Sequence, residues 1–153
     1  MGTTPPFEMQ TGHKFYSAFC FNKTWDFIDK ATRTEQENQA MLHSCLASLW
    51  HWSQRDDVTP KHWSIGYWQA SRVFALLGKA DDARIYGQLS LDNGGELEPF
   101  YVGYAYEALA RSEQVAGDSS KMQEYLKAAR EQCEKVTDAD SRKQLEEDLK
   151  TIA

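Results

Sequence analysis

"YWQASRVFALLGKADDARIYGQLS", residues 67 to 90, decides the fold. An aromatic at Tyr67, small residues at Ala70 and Ser71 and a second aromatic at Phe74 recur every three or four positions, which gathers them on one face of an α-helix. Gly78 follows as a left-handed stop, and Ala83, Gly87 and Ser90 repeat the small-residue spacing beyond it. Small side chains let two antiparallel helices approach closely, and the aromatics fill the gap beside them. The stretch predicts a helical hairpin.

The same punctuation extends in both directions. Thr34 and Glu37 in "TEQE" form a capping-box pattern, in which hydroxyl and carboxylate satisfy free backbone donors reciprocally, and it starts a helix over about 35–55. Thr59 before Pro60 starts the next, over roughly 60–77. Asp81 opens a shorter helix ended by "DNGG" at 92–95, and Pro99 opens one that continues to Ala116 and closes at Gly117. Asp118 caps a helix reaching Val136. Leu145, Leu149 and Ile152 form an apolar stripe on a last amphipathic helix, and Phe21, Trp25 and Ile28 place the first within about 14–30. With no alternating β-branched segment, the reading is all-α with seven helices. The 153 residues, 41% of them hydrophobic, suit a single helical domain over 13–153. The opening 1–12, with Pro5 and Pro6, is expected to be poorly ordered.

Thirty-four residues after Tyr67, Ala70, Ser71 and Phe74 come Tyr101, Tyr104, Ala105 and Ala108. Gly117 arrives five residues late, which predicts a longer first helix in this pair, and Met122, Leu126 and Ala129 then resume the second-helix spacing. Ala40, Ser44 and Ala47 keep it in the first pair. The chain thus resembles the tetratricopeptide repeat, in its size classes and its period. Over residues 21–153, "RTEQENQAMLHSCLASLWHW", "GYWQASRVFALLGKADDA" and "AYEALARSEQVAGD" also resemble a group of short bacterial proteins built on this repeat. The resemblance implies α-hairpins stacked into a short right-handed superhelix, capped by the seventh helix, with a concave groove for a protein or peptide partner. It transfers no catalytic residue.

Charge narrows the partner. Lys and Arg number 17 against 23 Asp and Glu, and the net charge of −6 is spread along the chain, which argues against a nucleic-acid backbone or an anionic membrane. Cys20, Cys45 and Cys133 lack C-x-x-C spacing, so neither a disulfide framework nor a zinc ribbon is expected. The opening residues lack a charged segment followed by an apolar one, and no apolar run reaches the ~18 residues of a membrane span, so a cytoplasmic location is expected. There is no nucleophile elbow, phosphate-binding glycine loop or dinucleotide fingerprint, so neither cofactor nor catalysis is expected.

Four of the five tryptophans fall within "LWHWSQRDDVTPKHWSIGYW", residues 49 to 68. Helical spacing puts Trp52 with Met41 and Cys45, and Trp63 with Tyr67 and Phe74, in the core, while Trp50 lies on a boundary stripe with His43 and Ala47. Trp68 differs. Its stripe, Ile65, Trp68, Arg72 and Leu76, takes first-helix positions that line the groove in the repeat register, and Val102, Tyr106 and Leu109 continue it. Trp68 beside Arg72 offers an apolar plate with a bidentate donor for a carboxylate or phosphate. Alternatively Arg72 stacks on Trp68, or the seventh helix fills the groove.

A second constellation is a polar pocket of His43, Trp50, His51, Arg72, Glu107 and Arg111. His43 and His51 are separated by about 12 Å of helical rise, too far to share a metal. Glu107 and Arg111 read as an i, i+4 ion pair on an exposed face. The leading expectation is a non-catalytic module that binds a peptide or protein through the groove, with self-association as a homodimer through an uncapped end as a rival use. The alternative is a small-molecule sensor or enzyme using the polar pocket.

Overall fold

The computed structural model describes residues 4–152. Among them the regular structure is entirely helical: α1 (Met9–Ile28), α2 (Glu35–Ser53), α3 (Pro60–Leu76), α4 (Ala80–Gly94), α5 (Pro99–Ala116), α6 (Ser119–Glu134) and α7 (Ala139–Leu149). The chain divides into two compact units, Met1–Thr59 and Pro60–Ala153.

In the first unit α1 pairs with α2. α1 begins at Met9, so residues 9–12 of the stretch expected to lack order form its first turn, while residues 1–3 lie outside the described residues. The cause is Glu8, whose carboxylate accepts from the backbone N–H groups of Gln10 (2.9 Å) and Thr11 (2.6 Å). Glutamate is not among the favoured capping residues, so the sequence pattern gave no signal there. The capping box at α2 forms as expected, with Glu37 N–H donating to Thr34 Oγ1 (3.2 Å) and Thr34 N–H to Glu37 Oε2 (2.9 Å). Ile28, Met41, Cys45 and Trp52 are its buried apolar side chains. Between them the seam is made of small polar groups: Ser48 Oγ donates to the Ser17 carbonyl at 2.7 Å, and the Thr24 and Ser44 hydroxyls meet at 2.9 Å.

The second unit is two hairpins and a final helix. α3 and α4 turn about Gly78, at φ 72°, and α5 and α6 about Gly117, at φ 77°; both are left-handed positions that a Cβ would strain. Close approach follows from the small residues. Ser71 Oγ donates to the Ala83 carbonyl at 2.7 Å, and a Cβ on Gly87 would stand 3.1 Å from Leu109 Cδ2. Leu109 therefore faces α4 as core. α5 is central, touching α3, α4, α6 and α7, and from Val102 to Glu113 it is buried at every position except Tyr106. It has 18 residues against 17 in α3, so the late Gly117 reflects a shift of both helix ends rather than the expected longer helix.

α7 lies against α5 and α6, where Leu145, Leu149 and Ile152 join Tyr104, Met122, Leu126, Ala129 and Cys133 in one apolar cluster. A Cβ on Gly103 would stand 2.6 Å from Leu145 Cδ2, so Leu145 occupies the hollow that glycine leaves on α5. Leu145→Ala is expected to lower unfolding free energy in urea by about 2–5 kcal/mol, and a loss under about 1 kcal/mol would mean that α7 is not anchored there.

Candidate functional site

The second unit buries a charged network on α5. Glu107 is 1% exposed, and its Oε2 accepts from the Trp68 indole Nε1 at 2.8 Å. Its Oε1 accepts from Arg111 Nε one turn on, and Arg72 Nη1 lies 3.8 Å away. Arg111 Nη2 in turn donates to the Asp148 carbonyl (3.1 Å) and Thr151 Oγ1 (2.6 Å) at the end of α7. The Glu107 and Arg111 pair thus forms as expected, but it is buried rather than exposed, because the C-terminal end of α7 lies over this face. Beside it Tyr104 donates its hydroxyl to Asp148 Oδ2 at 2.5 Å. Burial first, then the Asp148 carboxylate, pushes the Tyr104 phenol well above its ordinary range, so it stays a donor.

This geometry redraws the predicted groove. Trp68 is half-buried and Arg72 is directed at Glu107, so the two serve an internal carboxylate. Tyr106 stacks on Tyr125 of α6, with ring centroids 6.4 Å apart, and Val102 and Leu109 are buried; none of the three continues a groove wall. Leu76 and Trp63 are half-buried, the latter stacked on Tyr67 at 5.4 Å.

Ile65 and Trp68 do line a cleft of about 320 Å³, completed by Ser64, Ser90, Phe100, Tyr101, Tyr104 and Gln144. Its aromatic wall is set edge to face: Trp68 against Tyr104 at 5.1 Å and 69°, and Phe100 against Tyr104 at 5.0 Å and 76°. The two serines at its base are engaged with each other's backbone, Ser90 Oγ donating to the Ser64 carbonyl at 2.8 Å and Ser64 Oγ to the Ser90 carbonyl at 3.2 Å. At the rim Lys61 Nζ sits 4.7 Å from the Tyr101 ring centroid and 3.3 Å from Glu98 Oε1. Phe100, Tyr101 and Gln144 were missed by sequence reasoning, although Tyr101 had been flagged by its spacing from Tyr67.

The first unit holds the histidines. His51 Nδ1 lies 3.0 Å from Nδ1 of His13, a buried residue on α1 that the sequence reading passed over, whereas His43 is exposed. Rings of Trp50 (4.8 Å) and Tyr16 (5.5 Å) flank His51. With Phe7, Met9 and Gly12 these residues border a slot of about 160 Å³. His43, Trp50 and His51 belong to the first unit and Arg72, Glu107 and Arg111 to the second, and His51 and Glu107 each have partners within their own unit. In this unit Phe7, Met9, Phe15, Tyr16, Phe19, Leu46 and Trp50 are 37–59% exposed. Trp50 thus lies outside the hairpin seam.

Among the described residues no three His, Cys, Asp or Glu side chains are grouped to hold a metal, and no helix is long and apolar enough to cross a membrane. Burial pushes the Cys45 thiol up to about 12, so it is protonated at neutral pH. No family model matches the chain, and neither a curated protein nor a solved structure matches it.

Two outcomes follow from these networks. Glu107→Ala leaves the Arg111 cation buried without its carboxylate and is expected to destabilise the fold by about 3–5 kcal/mol in urea; a loss like that of a surface pair would show the network to be solvated. The second concerns pH. Burial and the neighbouring His13 hold His51 below its ordinary 6.5, so the unfolded chain takes up the proton more readily than the folded one. Stability conferred by neutral His51 is present above that value and is lost as pH falls through and below it. The thermal midpoint is expected to drop between about pH 7.5 and about pH 5.5, and to drop less in His51→Asn, whose amide does not titrate. Equal pH dependence in both proteins would contradict the assignment.

Proposed function

We propose that this chain is a non-catalytic helical interaction module of the tetratricopeptide kind, and that it holds a peptide or protein segment by an apolar side chain seated between Ile65, Trp68, Phe100 and Tyr104. The observation that carries this reading is the aromatic wall of the 320 Å³ cleft. Its size falls within the range of about 300–1,000 Å³ typical of ligand pockets, and aromatic walls with few polar groups are typical of them. It has room for one large or two small apolar side chains. Buried aromatic anchors contribute a disproportionate share of affinity at protein interfaces.

Charge chemistry favours an apolar anchor over the carboxylate or phosphate first suggested by Trp68 and Arg72. Arg72 and Arg111 already face Glu107, so an incoming anion would have to compete with an internal carboxylate. The close helix approach at Ser71, Ala83 and Gly87 supports the tetratricopeptide assignment, since those are the small positions of that repeat.

Selection from a displayed random peptide library tests the proposal. Wild type is expected to enrich peptides carrying an aromatic or branched aliphatic anchor, and Ile65→Glu, which places a carboxylate in the cleft, is expected to bind them at least about tenfold more weakly. Enrichment of acidic peptides without such an anchor, or binding indifferent to Ile65→Glu, would contradict it.

A further inference from the structure

The hairpin of α1 and α2 is built the wrong way round for a surface hairpin. Its seam is hydroxyl-rich, through Ser17, Thr24, Ser44 and Ser48, while the rings of Phe15, Tyr16 and Phe19 on α1 turn outward. Phe15 stacks on Phe19 at 5.7 Å and 17°, Tyr16 packs edge-on against both, and Tyr16 continues through His51 to Trp50. The rings form one contiguous surface. At roughly 200 Å² for a side chain of this size, Phe7, Met9, Phe15, Tyr16, Phe19 and Trp50 leave about 600 Å² uncovered. That is at the top of the ~300–600 Å² of the largest patch on a typical monomer and approaches the ~800 Å² that each partner contributes to a standard interface.

Charge identifies the occupant. From Met9 to Asn22 the only Asp, Glu, Lys or Arg is Lys14, and from Asn38 to Ser53 there is none. Lys14 is itself neutralised by Asp56 at 3.3 Å and Asp57 at 3.8 Å. A chain of net charge −6 therefore presents one neutral, aromatic face. An anionic membrane would require a basic rim, and a charged peptide a countercharge. A second copy requires neither, because a neutral apolar face is complementary to itself under a twofold axis, and two acidic chains meet there without charge repulsion. The slot beside Phe7, Met9, Tyr16 and Trp50 gives such a copy a place to seat a ring.

We propose that the aromatic face of α1 and α2 is a homodimer interface, with Phe15 and Phe19 of each chain against the same face of the other. It depends on residues of the first unit alone and stands independently of the cleft reading.

Sedimentation equilibrium of the full chain tests it. At about 100 μM, a concentration that populates even micromolar dimers, wild type is expected at twice its 17.5 kDa. The double substitution Phe15→Glu, Phe19→Glu is expected at 17.5 kDa, with unchanged helical circular dichroism because both side chains are already exposed. Ile85→Glu, an exposed apolar position on α4, is expected to leave the dimer intact. A monomeric wild type overturns the proposal. If that monomer also floats with phosphatidylcholine vesicles, and the double variant does not, the face is a membrane contact instead. A dimer that survives Phe15→Glu, Phe19→Glu, or one that Ile85→Glu dissociates, overturns it equally by placing self-association elsewhere.

Discussion

A carboxylate with almost no access to water organises the second unit. Glu107 sits in the middle of α5, and a charge so placed persists only if donors surround it. Trp68 supplies one from α3, Arg111 one from the next turn, and Arg72 approaches from α3. Arg111 then extends the network to Asp148 and Thr151, which binds the end of α7 to α5. One side chain thereby links three helices. A bidentate pair, Arg84 with Glu113 at 2.8–2.9 Å, makes a comparable link between α4 and α5.

These charges are satisfied internally, and the cleft beside them is walled by aromatic residues. The cleft walls are rings held by one another, with Tyr104 fixed at its far end by Asp148. The first unit shows the same division by different means. Hydroxyls and a histidine pair sit in its seam beside Met41, Cys45 and Trp52, and Phe15, Tyr16 and Phe19 face outward.

Helix boundaries were legible because local chemistry sets them. Thr34 with Glu37, Pro60, Pro99, Gly117 and Asp118 each act within one turn, and each marks an observed end. Glu8 escaped because a glutamate cap has no distinctive pattern. The site was less legible, since it depends on which helix faces which. An i, i+4 Glu and Arg pair reads the same on an exposed face as on a buried one, and only α7 decides between them. The His13 and His51 contact joins residues 38 apart in sequence, a separation at which helical periodicity carries no information. Tyr106 stands in register with Arg72, yet it stacks on Tyr125 of α6, a contact between helices that the spacing along α5 does not encode.

On the proposed reading, internal charge pairing makes the cleft an apolar rather than an anionic recognition site. Nuclear magnetic resonance titration with two minimal probes, N-acetyltryptophanamide and inorganic phosphate, tests it most directly. The account predicts saturable shifts at Ile65, Trp68, Phe100 and Tyr104 with the indole probe and none there with phosphate. Shifts at Arg72 and Arg111 induced by phosphate, with the indole probe silent, would contradict it.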